Sequence, residues 1–455
     1  MKTFKTLIIS IAFLSLTNLS YGQKAWTLEE CINYAIENNI QLKQSEVNAK
    51  IAKSNYNQSK FNFLPTITGF ASHDQNWGKT FSNDKLAYID EAYYSGNFGL
   101  SGELDIFNGF NNLLTLQENK YTFLANIQDV EVEKNNITLQ IVLAYLQVLY
   151  DQEILEVSEN QIQTTSDQVL KTEKMVEVGN QAKGSLFEIK AQLAQEKVNL
   201  TNARNQLNLS NLNISQLLNL ETVNEFSIQE PENIEIDQEN IVSSVENIFE
   251  TANTIMPEIK SAEYKLKSSE LALKKAKWSR SPSLNLSSLY FTRYSELANH
   301  PTKFDTDPTN DIEDYILSDQ IKDFAYTQIE VGINIPIFNK MRIQRNVNNA
   351  KLNVLNNSFM VELQEQTLYK KIQQAHADAL AAYEGYLSNI DATVSTKESF
   401  YYTEQKYNVG LVDVIEYNIA KNNYTKAQGD LLQAKYQYIF KTKILEFYQG
   451  EQITL

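Results

Sequence analysis

The residues able to do chemistry are few and scattered. The only histidines are His73, His300 and His376. Two fall in stretches of loop composition and one in a long helical stretch, so spacing assembles neither a metal set nor a catalytic triad. Cys31 is the sole cysteine, which excludes an intrachain disulfide. A lipid-anchored cysteine needs small residues before it, and Glu29-Glu30 stand there instead. Cys31 is therefore read as a small buried hydrophobe. No phosphate-binding glycine loop occurs. What remains is carboxylate. Asp305, Asp307, Asp311, Glu313, Asp314, Asp319 and Asp323 crowd the stretch Asn299–Phe324. They lack the glycine and regular ligand spacing of a calcium loop, and read as a solvated outer loop. Asp413 and Glu416 head a helical stretch in capping-box spacing. Repeated by identical copies around a narrow axis, such carboxylates would also form a negative ring that attracts cations and resists anions. The two roles are compatible. No constellation converges on a reaction, so neither enzyme activity nor a cofactor nor a metal is expected.

The elements that carry these residues come in duplicate. Leu104-Asp105-Ile106-Phe107-Asn108 returns as Ile335-Pro336-Ile337-Phe338-Asn339, an offset of 338 − 107 = 231 residues. The same offset links Ile141 to Ile372, Gly179 to Gly410 and Ala203 to Ala434. Earlier in each half, Lys60…Pro65 matches Lys277…Pro282 at 282 − 65 = 217. The difference of 14 places one insertion in the second half, between the two landmarks. Each half reads helix, strand, loop, strand, very long helix, shorter helix. The organisation expected is a signal over 1–22, a first repeat over 23–220, a linker over 221–238 and a second repeat over 239–455.

The signal reading rests on Lys2 and Lys5, then an apolar run from Leu7 to Leu16, then small and polar residues up to Tyr21-Gly22. That run is too short to span a bilayer. Cleavage near Gly22 would remove two positive charges and take the net charge from −16 to −18. Such an acidic balance argues against nucleic acid as a partner.

Thr27–Phe63 has helical composition, and Thr27-Leu28-Glu29-Glu30 resembles a capped start. Pro65 and Pro282 launch strands at Thr66–Ser72 and Ser283–Tyr294. Phe98, Leu100, Leu104 and Ile106 form an apolar face opposite Asn97, Gly99, Ser101, Glu103 and Asp105. Ile329, Val331, Ile333, Ile335 and Ile337 alternate with Gln328, Glu330, Gly332 and Asn334. Period-2 patterning of this kind fits a sheet with one greasy and one wet surface, and strands of about ten residues fit a tilted bilayer crossing. His73–Ala92 reads as a polar loop with aromatics. Phe107, Phe338, Tyr93 and Tyr94 suit an interfacial girdle.

A proline-free helical stretch then runs to about Val178, roughly 100 Å long. Ile141, Val148, Leu155, Ile162, Val169 and Val176 step by seven along it. Seven-residue stepping implies left-handed supercoiling against neighbours. The companion row Ile137, Ala144, Asp151, Ser158, Thr165 and Thr172 is small or polar. That seam is too polar for a buried bundle core, so the helix is expected to pack side to side around something wet. Its counterpart runs from about Lys340 to Val409, and Gly179 and Gly410 punctuate the two ends. Shorter returning helices follow at Ser185–Leu218 and Asp413–Tyr448.

Four strands per chain cannot close a barrel, open edges are not tolerated in lipid, and the smallest natural membrane barrels have eight. Several chains must therefore share one barrel. The long helices leave it through a short Asn-containing join and would continue as a wet-centred tunnel.

The chain resembles the TolC-like outer membrane efflux family. The resemblance rests on the Thr27-Leu28-Glu29-Glu30-Cys31-Ile32…Ala35…Asn38-Asn39 opening, the proline-launched strands and the Ile-Phe-Asn exits. The Val178-Gly179 and Val409-Gly410 turns and Asp413-Val414-Ile415-Glu416 complete it. It covers essentially everything after the signal. It implies a mainly helical, internally duplicated chain whose homotrimer makes a 12-stranded outer-membrane β-barrel continuous with a 12-helix periplasmic α-barrel. It implies a passive conduit for drug efflux or type I secretion, with an inner-membrane transporter, a periplasmic adaptor and outer-membrane lipid as partners. It places the constriction at Asp413 and Glu416. In the first half Ser185 falls near the family's acidic position, with Glu188 close by, and adaptor docking falls at the Gly179 and Gly410 turns. A competing reading is a periplasmic coiled-coil adaptor or scaffold. An adaptor needs one helical hairpin with globular β domains, not membrane-length strands twice over. A secreted structural coiled coil leaves the strands unexplained.

Overall fold

The computed structural model describes residues 25–82, 87–220, 226–231, 244–298, 315–451 and 453–454. The expected signal, most of the linker and the segment holding His300, Asp305, Asp307, Asp311, Glu313 and Asp314 lie outside those residues. The chain folds as two compact units, and each takes pieces from both halves of the sequence. One comprises Ala49–Asn126 and Ala262–Val361; the other comprises the chain up to Asn48, Ile127–Ser261 and Glu362 onward.

The first unit carries the sheet. Strands β2 (Thr66–Asn76), β5 (Tyr93–Asn108), β7 (Ser283–Ser295) and β8 (Tyr326–Asn334) pair antiparallel in the order β2-β5-β7-β8. Pro65 and Pro282 stand immediately before β2 and β7, where a missing N–H costs no ladder bond. The expected loop His73–Ala92 is shorter than read. His73–Asn76 continue β2, and β3 (Lys79–Ser82) and β4 (Ala87–Asp90) form a hairpin. The fourth strand is also shorter than its isoleucine pattern, ending at Asn334 because Pro336 cannot donate and β7 has no residue left to pair. A short helix within the stretch read as an acidic loop, Leu317–Asp323, leads into β8.

Both long helices start in the same way. Asn108 Oδ1 accepts from Asn112 N at 3.2 Å, and Asn339 Oδ1 accepts from Ile343 N at 3.5 Å. The residues between, Gly109-Phe110 and Lys340-Met341, all take left-handed backbone with φ of 54–64°. The repeated Ile-Phe-Asn is thus a strand-to-helix corner whose asparagine caps the helix.

The second unit is a helical bundle. The expected helix Thr27–Phe63 breaks in two, α1 (Leu28–Asn38) and α2 (Ile40–Phe61, mostly in the first unit), because Asn39 adopts extended ψ and its side chain caps the second segment. Thr27 and Glu30 close a full capping box at the start of α1. The long helices are α3 (Asn111–Glu177) and α8 (Arg342–Asn408); the returning ones are α4 (Lys183–Leu217) and α9 (Val414–Gln449). Counting in chain order, α5 is Val245–Ile255, α6 Pro257–Trp278 (mostly in the first unit) and α7 the short Leu317–Asp323 helix of the first unit. The repeat is structural as well as sequential: α3 and α8 start 342 − 111 = 231 and end 408 − 177 = 231 residues apart. Strand β6 (Ser227–Ile228), within the stretch read as a linker, pairs parallel with β1 (Ala25–Trp26). Tyr145 donates to Gln229 O and Trp26 O, tying the pair to α3. Ile248, Ala252, Ile259, Leu368, Ile372 and Leu445 make one apolar core there. Cys31 is wholly buried, and burial, then Glu30, push its thiol up to about 12, which favours the neutral thiol of a small buried hydrophobe.

The polar companion row on α3 is buried, not wet. Ile137, Ala144, Asp151, Thr165 and Thr172 are all buried; Asp151 and Thr165 find partners on other helices, while the Thr172 hydroxyl has none among the described residues. Ser210 on α4 donates to Asp151. A buried polar group is tolerated once it is hydrogen-bonded, and that satisfaction is what the sequence pattern does not display.

Candidate functional site

Two regions could carry function: the strand wall in the first unit and the helix turns in the second. Alternation on the wall follows the register. Ile67, Leu100, Ile329, Val331 and Ile333 share one face, and all are exposed, Ile67 and Ile329 to 72%. Thr66, Thr68, Ser101, Glu103, Ser287, Gln328 and Glu330 line a hollow of about 400 Å³ on the other face. A folded sheet that exposes so many apolar side chains on one face calls for a nonpolar surround. Within the four-stranded sheet, β2 and β8 each pair on one side only. His73 stacks between Tyr94 and Tyr294 on the apolar face, with Phe98 beside them, forming an aromatic cluster toward one strand end. Tyr93, by contrast, sits on the polar face by register.

At the helix turns, Gly179 and Gly410 take φ of +82° and +77°. Asn180 N bonds to Met175 O at 2.8 Å, and Leu411 N to Lys406 O at 2.9 Å, so both helices end in the same left-handed closure. A Cβ at either glycine would meet nothing within 4 Å, so backbone conformation, not space, demands glycine there. Val178, Val409 and Leu411 are exposed beside them.

Asp413 is the N-cap of α9, its Oδ1 accepting from Glu416 N at 2.9 Å. Both side chains are exposed, while Val414 and Tyr417 of the same turn are buried with Val169, Ile189 and Tyr407. Burial pushes the Tyr417 phenol well above its ordinary value, with the Glu404 charge adding to it. The structural counterpart of Asp413 is Ala182, which caps α4 without a side-chain bond. Glu188 is exposed on α4, and no bond among the described residues joins it to Asp413 or Glu416.

Sequence reasoning missed a charged cluster in this bundle. Lys421 Nζ on α9 lies 2.8 Å from Glu196 Oε1 on α4, with side chains only 5% and 4% exposed. Lys421 also donates to Thr165 on α3, and the Thr165 hydroxyl donates to Glu196 Oε2. Three helices thus meet at one ion pair. The signal was present: Ile189, Glu196, Ala203 and Ser210 step by seven and are all buried, so Glu196 occupies a core position.

Duplicated long helices in one unit and an amphipathic strand wall with half-paired edges in the other are features of a membrane protein that meets the bilayer with strands. The model of the outer membrane efflux protein family matches residues 31–220 and 251–450, and the chain belongs to that family. It is a transport protein of the outer membrane, not an enzyme. The fold is shared with solved channels at low identity. CusC matches at 16% identity and TM-score 0.78, covering 93% of this chain and 92% of that one. CmeC, the outer membrane channel of Campylobacter jejuni, matches at 18% identity and 0.77, covering 93% and 85%. VceC, an outer membrane protein of Vibrio cholerae, matches at 14% identity and 0.76, covering 94% and 97%. Among curated proteins none matches the sequence significantly.

Proposed function

We propose that the chain is one subunit of a passive export conduit, in which three copies close a 12-stranded barrel in the outer membrane and pack their helices as a tunnel in the periplasm. The observation that carries it is the sheet with two half-paired edges, an exposed apolar face and a polar hollow. Alone in lipid, each free edge would leave strand N–H and C=O groups without partners. Neighbouring copies satisfy the edges. A second row points the same way: Leu380, Leu387, Val394 and Tyr401 on α8 step by seven and are all exposed, a seam fit for a helix of another copy. In this reading the exposed Asp413 and Glu416, with Glu188, line the periplasmic constriction, and the Gly179 and Gly410 turns meet an adaptor that links the conduit to an inner-membrane transporter. Energy comes from that transporter, and the cargo is small molecules or a type I secretion substrate. The strand wall disfavours the adaptor alternative, which gives it no work. Mass measurement of the detergent-solubilised particle and planar-bilayer recording test the proposal. Expected are a trimer with stable conductance, and higher conductance or weaker cation preference in the Asp413→Ala, Glu416→Ala variant. A lone subunit without conductance overturns the conduit; unchanged conductance and selectivity in the variant overturn the constriction.

A further inference from the structure

The polar face of the strand wall is not uniformly polar. One cross-strand row on it reads Phe70, Gly99, Phe291, Tyr326, in register across all four strands. The Phe70 and Phe291 ring centroids are 6.3 Å apart, and those of Phe291 and Tyr326 are 5.4 Å apart. Gly99 makes the row continuous: a Cβ there would stand 2.5 Å from the Phe70 ring, so the ring lies over the glycine. Phe70 and Tyr326 remain exposed despite this contact. Covering a glycine explains one ring, not a band of three.

The charges around this row have one sign on its hollow side. The neighbouring row on that side is uncharged, Thr68, Ser101, Leu289 and Gln328. Next come Glu103 and Glu330, then Asp105, all exposed, with no lysine or arginine in those rows. On the other side stand Arg293, whose guanidinium lies 5.1 Å from the Phe324 ring, and Asp74, which accepts from Ser72. Carboxylates leading to ring faces suit a solute that carries positive charge and an aromatic or apolar body: the carboxylates attract it, and the ring faces hold it by stacking and cation–π attraction. Anions meet repulsion first.

We propose that the band formed by Phe70, Phe291 and Tyr326 is a transient docking site for aromatic organic cations passing along the wall, with Glu103, Asp105 and Glu330 setting the preference for positive charge. The site rests on the conduit reading, since only a closed wall turns this face into a lumen.

The test uses the full chain in planar bilayers, with benzyltrimethylammonium, tetramethylammonium and benzenesulfonate as probes. The aromatic cation is expected to give current interruptions roughly tenfold longer than tetramethylammonium, and benzenesulfonate none. Phe291→Leu with Tyr326→Leu keeps an apolar cover on the sheet and is expected to erase most of that difference while leaving salt conductance intact. Glu103→Gln with Glu330→Gln is expected to shorten both cations' interruptions alike. Equal interruptions by the two cations in the native channel, or an undiminished difference in the leucine variant, overturn the site. A native channel that conducts but does not discriminate sinks this inference alone; a chain that conducts nothing sinks the conduit with it.

Discussion

Removing the Lys421 ammonium while keeping its length, as Lys421→Met, should destabilise the helical bundle more than any surface change. The ammonium sits 2.8 Å from Glu196 Oε1 and 3.3 Å from Gln161 O, and also reaches Thr165. Its loss strands the Glu196 carboxylate inside the bundle, with the Thr165 hydroxyl and Gln192 Nε2, 2.9 Å away, as its remaining donors. Breaking a buried pair on one side costs about 3–5 kcal/mol. The two surviving donors place this case near the lower end, about 3 kcal/mol, or roughly 150-fold in the folding equilibrium. Replacing both partners, Lys421→Met with Glu196→Leu, removes the stranded charge and should recover most of that loss, so the double-variant cycle gives a large coupling energy. Denaturant unfolding followed by helical circular dichroism in detergent measures it. A single variant within about 0.5 kcal/mol of native, or a double variant less stable than either single, would refute the claim that this contact is a desolvated ion pair joining three helices.

Four further outcomes follow from the geometry. Gly410→Ala meets no atoms and should cost only about 1 kcal/mol in melting experiments, from its positive φ, whereas Gly96→Ala would place a Cβ 2.3 Å from both Ser72 O and the Tyr294 ring and should abolish detergent-resistant assembly. Asp378 is held below its ordinary value first by the Lys441 hydrogen bond at 2.7 Å and then by Gln374, so its contribution is present above that ordinary value and lost as pH falls through the depressed one. Asp378→Asn should therefore flatten the acid limb of the melting profile below the ordinary aspartate value. Leu387→Glu charges the exposed seven-step row on α8 and should yield folded, largely monomeric protein by size-exclusion chromatography, with circular dichroism unchanged.

What the sequence displays and what it hides divide by the distance over which a residue's role is decided. The left-handed turns at Gly179 and Gly410 are local, and so are the proline launches at Pro65 and Pro282 and the alternation on β5 and β8; each is settled within a few residues and was readable. The division at Asn39 was also local, yet an unbroken helical composition concealed it, since only a cap bond distinguishes a break from a bend. The polar row of α3 failed for the opposite reason. Asp151 and Thr165 look wet until Ser210, Glu196 and Lys421 are brought from other helices, the last of them 256 residues beyond Thr165. The aromatic row is hidden more deeply still. Phe70, Phe291 and Tyr326 sit on three different strands, and each alone reads as an ordinary strand aromatic. Only the register sets them on the polar face of the sheet, beside rows of hydroxyls and carboxylates. An apolar group kept at a water-facing position costs solvation unless something covers it part of the time. That asymmetry, absent from any single segment, is the physical ground for expecting cargo to touch this band.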